Sequence, residues 1–215
     1  MDFSYLKNLE AKIRKITLPG RDAHAIMTHK SRHEELKNLD FSTLDAKVAA
    51  VMVLLYPNPK NKVNIVLIRR NKYPGVHSNQ IGLPGGGLER QDKNTEYTAL
   101  RETEEEIGVP LKQIKVLKKL TPLFIPPSNF LVNPYLGICN YIPNFIKQET
   151  EVEEVIEVEL SDLLAEECIQ LKEVSSAYMP PTKVSCFYLK NQVVWGATAM
   201  ILSELKQLMK KVEIA

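Results

Sequence analysis

The chain is poor in cysteine, in long apolar runs and in unbalanced charge, and each shortage argues against a class of protein. Only three of its 215 residues are cysteines, and their wide spacing suggests no disulfide framework, which favours a reducing cytoplasm. The longest apolar run, residues 48–56, is far below the roughly 20 residues that a membrane-spanning helix needs. A net charge of +2 without a long basic run does not indicate a nucleic-acid-binding protein. We therefore expect a cytoplasmic protein with no membrane or nucleic-acid partner.

What the chain does contain is the composition of an ordinary globular domain. Hydrophobic residues make up 44% of the chain and charged residues 25%, which is typical of a protein with a full core. The length of 215 residues suits one domain with an appendage. The pattern changes near residue 45, so we predict a helical N-terminal extension over residues 1–45 and a main domain over residues 46–215.

The extension contains two helical patterns. Residues 3–15 place apolar side chains at helical spacing, which predicts an amphipathic helix that packs on the main domain or on a partner subunit in a homodimer. Residues 22–36 carry His29 and His33, which are four positions apart and could share a metal ion. No third ligand is evident near them, so an exposed helix face is the preferred interpretation.

The main domain alternates helical and extended patterns. Apolar runs at residues 49–56 and 63–69, joined by turn residues, predict a hairpin. Further predicted elements are strands at 113–120 and 131–141, a short helix at 162–167 capped by Ser161, a last hairpin from 184–189 and 193–195, and an amphipathic helix at 198–212. This order predicts an α/β fold with a mixed sheet covered on both faces.

Residues 95–107 are predicted to form a helix of unusual character. Asn94 or Thr95 is a suitable N-cap, and Gly108 is a stop signal. At about 100° per residue, three acidic side chains share one side of this helix, and four other side chains share the side that can pack on a sheet. The acids are Glu102, Glu105 and Glu106, and the packing residues are Tyr97, Leu100, Thr103 and Ile107.

The clustered acids are unfavourable where they stand. Like charges three and four positions apart repel by roughly 0.2–0.5 kcal/mol per pair. Negative charge in the last turn of a helix also opposes the helix dipole. A divalent cation would turn the repulsion into attraction, and carboxylate oxygens suit Mg²⁺ or Mn²⁺. From the acids alone, a metal site and a plain acidic surface are equally supported.

A glycine-rich turn at residues 84–87 precedes the acidic helix. It has no bulky side chains, so a ligand or an ion can approach its backbone closely. Turn and helix together resemble the Nudix box, the signature of hydrolases that cleave a nucleoside diphosphate linked to another moiety. The matching positions are Gly87, Arg101, Glu102, Glu105, Glu106, Gly108 and Val109. Lys93 departs from the pattern by replacing its first glutamate, and Thr103 replaces an apolar residue.

The resemblance implies a fold and a metal-dependent mechanism. The fold is an α/β/α sandwich with a mixed sheet, in which the box forms a loop–helix–loop. The implied ligands of Mg²⁺ or Mn²⁺ are Glu102, Glu105, Glu106 and the Gly86 carbonyl, while Arg101 orients the acids through a salt bridge. Glu102 could double as the catalytic base, because crowding of carboxylates should raise at least one pKa. Glu151 and Glu154 are alternative bases outside the box, and the sequence does not separate them.

Three segments outside the box resemble the coenzyme A pyrophosphatase subgroup of that family. They are residues 69–70 with 77–86, residues 127–137 and residues 194–198. Asp92, just before Lys93, also fits the subgroup. The resemblance runs from about residue 46 to residue 205, and it implies hydrolysis of coenzyme A or acyl-CoA to 3′,5′-ADP and (acyl-)4′-phosphopantetheine.

The flanking segments are also expected to bind the substrate, because its phosphates need cations and close approach to backbone. The candidates are Arg69, Arg70, Lys72, His77, Gly85 and Gly86. Trp195 could stack on adenine, although a core position is the preferred interpretation. Other substrates stay open, namely a nucleoside triphosphate, ADP-ribose or a dinucleotide polyphosphate, as does a catalytically silent module that binds a nucleotide.

Overall fold

The computed structural model describes residues 1–28, 39–75, 77–176 and 179–214. Its helices are α1 (Phe3–Lys15), α2 (Arg21–Ala25), α3 (Thr95–Ile107), α4 (Leu160–Leu164) and α5 (Gly196–Ile214). Its strands are β1 (Lys47–Pro57), β2 (Val63–Arg70), β3 (Ile81–Gly82), β4 (Gly85–Gly87), β5 (Ile114–Lys119), β6 (Leu123–Ile125), β7 (Phe130–Cys139), β8 (Val152–Glu159), β9 (Ile169–Ser176), β10 (Met179–Leu189) and β11 (Gln192–Val194). Short 3-10 turns occur at Phe41–Thr43, Leu111–Gln113, Pro126–Ser128 and Glu166–Cys168. The predicted pair His29 and His33 lies outside the described residues.

Strands β1 to β8 form one mixed sheet, as predicted. The central strands β1 and β7 are parallel, from Lys47 opposite Phe130 to Leu55 opposite Ile138. The neighbouring pairs, β1 with β2 and β7 with β5, are antiparallel. The predicted hairpin at residues 49–69 is confirmed, because β1 turns directly into β2.

The sheet opens between β1 and β2. These strands pair only beside their turn, from Leu55 opposite Ile65 to Pro57 opposite Val63. Farther along, β1 pairs with β4, whereas β2 pairs with β3 and β8. The glycine-rich strand β4 therefore lies in the opening, where it also contacts α3.

Alternating side chains of β1 and β2 build a core on each face of the sheet. On one face, Leu55 and Leu67 pack in a cluster with α1 and α5. On the other face, Leu54 and Ile68 share a cluster with Ile107 of α3. The predicted α/β/α sandwich is confirmed, and its two faces are covered by helices from different parts of the chain.

The described part of the N-terminal extension packs on the main domain. The apolar side of α1 is buried in the same core as the sheet, through Phe3, Leu6, Leu9 and Ile13. Beyond α1, the backbone amide of Gly20 donates a hydrogen bond to Glu204 of α5 at 3.1 Å. Of the two packing partners that the amphipathic pattern left open, the main domain and a partner subunit, these contacts show the main domain.

Strands β9, β10 and β11 form a second, antiparallel sheet in the order β11-β10-β9. The last hairpin and the closing helix were predicted correctly. Strand β9 was missed because residues 169–176 contain no apolar run, and their side chains are half-buried or exposed. Strand β11 contacts β3, so the second sheet stands beside the opening of the first.

The short helix after β8 begins earlier than predicted. It runs from Leu160 to Leu164, with Glu159 at its N-cap position. Ser161 therefore lies inside the helix, where its hydroxyl donates to the Glu159 carboxylate at 3.2 Å. The prediction that Ser161 caps the helix is wrong, because the buried residues Leu160 and Leu163 set where the helix begins.

The described residues contain no disulfide bond between the three cysteines. Cys139, Cys168 and Cys186 are buried and free. No helix in this part of the chain combines the length and the apolar character needed to cross a membrane.

Candidate active site

Helix α3 begins and ends where local signals predict. The Asn94 side chain accepts a hydrogen bond from the Tyr97 amide at 2.8 Å and so caps the N-terminus. Gly108 adopts the left-handed conformation at φ 72, and its amide donates to the Glu104 carbonyl at 2.9 Å. Such caps depend only on neighbouring backbone, which is why the sequence shows them clearly.

The predicted division of α3 into an acidic side and a sheet-packing side is partly wrong. Glu102 and Glu106 are buried, at 9% and 0% exposure, whereas Glu105 is exposed. Of the residues expected to pack on the sheet, Leu100 is half-buried and packs against the core there, whereas Tyr97 is half-buried and is not part of that core. The reason is strand β4, whose glycines lie against the helix and leave space for two carboxylates.

Glu106 is held in the sheet opening by backbone and by a cation. One carboxylate oxygen accepts a hydrogen bond from the Gly85 amide at 2.8 Å, and the other lies 3.4 Å from Arg70 of β2. Burial raises the pKa of Glu106 to about 7, although Arg70 and the Gly85 amide oppose the shift. The charges of Glu102 and Glu151 add to the increase. At neutral pH the Glu106 carboxyl is therefore partly protonated in the metal-free protein.

Glu102 lies directly against the backbone of Gly86. A Cβ atom at Gly86 would be only 2.5 Å from the Glu102 carboxyl, so the close approach requires glycine. Arg101 donates to the same carboxylate at 2.9 Å. Burial raises the pKa of Glu102, Arg101 opposes the rise, and the charges of Glu105 and Glu151 add to it.

Arg101 is the centre of the hydrogen-bond network around the acids. Its guanidinium donates to Glu102, to Glu105 at 2.8 Å and to the Gly87 carbonyl at 3.1 Å. Two further hydrogen bonds, both 2.9 Å, go to the Asp92 carboxylate. These bonds to Arg101 hold the pKa of Asp92 at about 2. Asp92 thus anchors the arginine, while Lys93 beside it lies 5.9 Å from the centre of the Tyr97 ring.

The two acids that were considered as bases outside the box differ in their surroundings. Glu154 forms an ion pair with Arg69 at 3.1 Å, on a half-exposed edge of β8. Glu151 contributes negative charge that raises the pKa of both Glu102 and Glu106. Its backbone carbonyl also accepts a hydrogen bond from the Asn71 amide at 2.9 Å. Glu151 is therefore the acid of this pair that acts electrostatically on the cluster.

The candidate substrate-binding residues are spread over both faces of the end of β2. Arg70 points to Glu106, and Arg69 points to the opposite face and pairs with Glu154. Lys72 is exposed in the following loop. His77 is half-buried, and its Nδ1 lies 3.2 Å from the Gln80 side-chain oxygen. Burial lowers the pKa of His77. The contact with Gln80 opposes this shift, and the charge of Arg70 adds to it.

A cleft of about 640 Å³ opens between the loop after β2 and the second sheet. Trp195 is only half-buried and lines this cleft, together with Arg69 and Tyr73. The preferred interpretation of Trp195 as a core residue is therefore wrong. The cleft itself was not predictable, because its walls come from segments more than 90 positions apart that carry no common motif.

Comparison with known proteins agrees with this geometry. The model of the NUDIX domain matches residues 46–191, which is more than half of the chain. The chain belongs to the Nudix family. Relatives include the proteins named Uncharacterized Nudix hydrolase NudL of Photorhabdus laumondii and of Pectobacterium atrosepticum. The former is 31% identical over 74% of this chain and 83% of its own length, and the latter is 31% identical over 73% and 80%.

Solved Nudix structures share the fold. A MutT/nudix family protein from Enterococcus faecalis has a TM-score of 0.51 at 18% identity, covering 91% of this chain and 76% of its own. The NUDIX domain of Shewanella oneidensis NrtR, solved with ADP ribose, has a TM-score of 0.50 at 16% identity, covering 85% of this chain and 99% of its own. At these identities the likeness supports the sandwich architecture alone.

Nudix hydrolases generally use divalent metal ions, and the donor chemistry of this site fits one. Two buried carboxylates, Glu102 and Glu106, have raised pKa values, and Glu102 lies against the Gly86 backbone. Within the described residues, no three His, Cys, Asp or Glu side chains already converge as a metal-binding group. Glu105 is instead turned to Arg101, so in this arrangement arginines compensate the acids. The acids of the box helix α3 are thus held by ion pairs with Arg101 and Arg70.

Proposed function

We propose that this Nudix hydrolase cleaves the diphosphate of coenzyme A or of an acyl-CoA. The observation that supports the proposal is that the segments resembling the coenzyme A subgroup, although far apart in sequence, contact one another or the box helix. Thr198 donates a hydrogen bond to the Ile81 carbonyl at 3.1 Å, which joins residues 194–198 to residues 77–86. The Tyr135 hydroxyl lies 2.7 Å from the Thr95 hydroxyl, which joins residues 127–137 to the start of α3.

The reaction is the hydrolysis of a phosphoric anhydride. Water attacks one phosphorus atom, the bridging P–O bond breaks, and the products are 3′,5′-ADP and (acyl-)4′-phosphopantetheine. A divalent cation, Mg²⁺ or Mn²⁺, would supply charge neutralisation at the diphosphate and at the leaving phosphate. The ligands proposed for it are Glu102, Glu105, Glu106 and the Gly86 carbonyl.

The protein's own part is positioning and charge stabilisation. Arg101, anchored by Asp92, keeps Glu102 and Glu105 in place before substrate binds. Two acids can take the proton of the attacking water. They are Glu102, whose raised pKa suits a base, and Glu151, whose charge already influences the cluster.

Cations for the substrate phosphates come from the end of β2. Arg70 lies beside Glu106 and can turn to an anionic oxygen of the diphosphate once the acid is occupied by metal. Lys72 is exposed in the adjoining loop and suits the outer 3′-phosphate. The absence of side chains at Gly85 and Gly86 leaves the backbone open to the diphosphate. The cytoplasmic location and the homodimer stay predictions.

Product identification tests the proposal directly. The full chain is incubated with coenzyme A and Mg²⁺, and recovery of 3′,5′-ADP with 4′-phosphopantetheine is the expected result. ADP-ribose, a deoxynucleoside triphosphate and diadenosine tetraphosphate are assayed in parallel, with Glu106→Gln as the inactive control. Much faster turnover of one of these three than of coenzyme A would overturn the substrate assignment and leave the Nudix chemistry standing.

A further inference from the structure

The cleft beside β2 is chemically unlike the acid cluster. Its walls include two aromatic side chains, Trp195 and Tyr73. They also include four carboxamides, Asn79, Gln80, Asn191 and Gln192. Arg69 is the one charged residue among the described residues that line it, and Glu154 already pairs with it at 3.1 Å. The volume of about 640 Å³ is in the range of pockets that enclose a small molecule.

This lining is unsuited to the phosphate groups and to the aliphatic arm of the proposed substrate. A phosphate group needs cations that are available to it, and the one cation at the cleft is neutralised by Glu154. A flexible aliphatic arm needs an apolar groove, but side-chain amides and hydroxyls dominate these walls. Aromatic rings next to carboxamides suit a neutral planar group, because the rings stack on its face and the amides pair with its polar edge.

The cleft and the acid cluster adjoin at the end of one strand. Arg69 and Arg70 are consecutive residues of β2, and their side chains point to opposite faces, one to the cleft and one to Glu106. The loop after β2 makes a second connection. Gln80 lines the cleft, its backbone carbonyl accepts from the Arg70 amide at 3.1 Å, and its side chain contacts His77.

We propose that this cleft binds the nucleobase of the substrate, a purine that stacks on Trp195. This assignment rests on the proposed function in that the diphosphate of the same molecule lies at Glu102 and Glu106. Tyr73 also lines the cleft, and its ring packs on Gly75, where a Cβ atom would be only 2.2 Å from the ring. Gln192, at the start of β11, donates or accepts at the edge of the base.

Trp195 provides the probe for the test, because it is the single tryptophan of the chain. The full-length protein, free of metal, is titrated with AMP while tryptophan emission is excited near the red edge of its absorption. Saturable quenching by AMP, with no quenching by ribose 5-phosphate, is the expected result. Equal quenching by both ligands, no quenching by AMP, or quenching by 4′-phosphopantetheine in place of AMP would overturn the assignment.

Variants distinguish the loss of a specific contact with the nucleobase from a non-specific effect of mutation on the protein. Gln192→Ala is expected to weaken AMP binding by roughly threefold to tenfold, the loss of one hydrogen bond. Gln113→Ala, at an exposed amide remote from the cleft, is the matched control and should bind AMP as the parent does. If the two variants bind AMP equally, the role of Gln192 is excluded. Trp195→Ala is compared with Trp195→Phe by calorimetry, and only the alanine variant should lose at least about fivefold in affinity.

The outcome for the cleft is distinguishable from the outcome for the proposed function. Glu106→Gln should lose turnover but keep the quenching by AMP, because the proposed nucleobase site does not include the acid cluster. Turnover of coenzyme A without AMP quenching would overturn the cleft assignment alone. Quenching by AMP without turnover of coenzyme A would overturn the proposed substrate and leave the cleft as a nucleobase site.

Discussion

The Glu106 carboxylate accepts a hydrogen bond from the Gly85 amide at 2.8 Å, and this contact joins the last turn of α3 to strand β4. Gly85 has a φ of 152, and a Cβ atom there would lie 2.3 Å from the Ala50 carbonyl. The position therefore requires glycine for two reasons, its backbone conformation and its close neighbour. The contact buries a carboxylate in the opening of the sheet, and most consequences of the site follow from that burial.

The stability of the metal-free protein should fall as the pH rises from about 4.5 to about 7. The pKa of Glu106 is raised from its ordinary 4.5 to about 7, so the folded state retains a proton that the unfolded state releases. The contribution of Glu106 to the free energy of unfolding is therefore complete below about pH 4.5. It is lost as the pH rises to about 7, by roughly 3 kcal/mol in total. Urea unfolding in EDTA between pH 5 and 8 measures the slope. Glu106→Gln, which cannot ionise, should flatten it, and an unchanged slope in that variant contradicts the assignment.

Divalent metal should reverse the loss of stability at neutral pH. An ion that binds the folded state alone stabilises it in proportion to the logarithm of its concentration. We expect Mg²⁺ to raise the melting temperature of the parent at pH 7.5, and Glu106→Gln to respond much less. Sodium chloride at matched ionic strength is the control for general screening. Equal responses to the two salts would argue that the acids hold no metal.

Gly86→Ala should damage activity while Gly82→Ala should not. A Cβ atom at Gly86 would be 2.5 Å from the Glu102 carboxyl, so the carboxylate must move, whereas at Gly82 nothing lies within 4 Å. A displacement of about 1 Å in a catalytic group can cost on the order of a hundredfold in rate. Steady-state kcat for the two variants is the measurement, with thermal unfolding to show that both fold. Equal kcat values would mean that the position of Glu102 is not critical.

Asp92, and not position 93, should support Arg101. Asp92 accepts two hydrogen bonds from Arg101 and one from Thr98, and its side chain is fully buried. Asp92→Ala should lower the free energy of unfolding by about 1–3 kcal/mol and also lower kcat, because the buried Arg101 loses two of its hydrogen bonds. Lys93→Ala is the control, since Lys93 is exposed. A larger loss in the Lys93 variant than in the Asp92 variant would refute this division of roles.

Glu151 and Glu154 should differ as candidate bases. If Glu151 takes the proton of the attacking water, Glu151→Gln should reduce kcat by about 10²–10⁴-fold and alter the acid limb of the pH profile. Glu154→Gln should instead act on substrate binding, because Glu154 is the partner of Arg69. Measurement of kcat and KM across pH separates the two effects. A normal kcat and pH profile in Glu151→Gln would leave Glu102 as the base.

The ends of α3 and the β1–β2 hairpin were predictable because their signals are local. Asn94, Gly108 and the turn between β1 and β2 act on backbone within a few residues. Strand β9 was not predictable, since its residues are half-buried or exposed, form no apolar run and depend on β10 for pairing. The same holds for Trp195, whose exposure to a cleft is set by a loop more than 100 positions away.

By itself, the sequence determined the acidic helix and its limits, because spacing and caps encode these. The resemblance of its box motif supplied the family and the sandwich class of the fold. Tertiary structure alone decided which acids are buried, which cation faces each of them, and which acid outside the box influences the cluster. The physical reason is that burial and pairing depend on atoms brought together from distant segments, as when Arg70 of β2 meets Glu106 of α3. A pKa near neutrality is a property of that assembled environment, and no spacing of residues along the chain contains it.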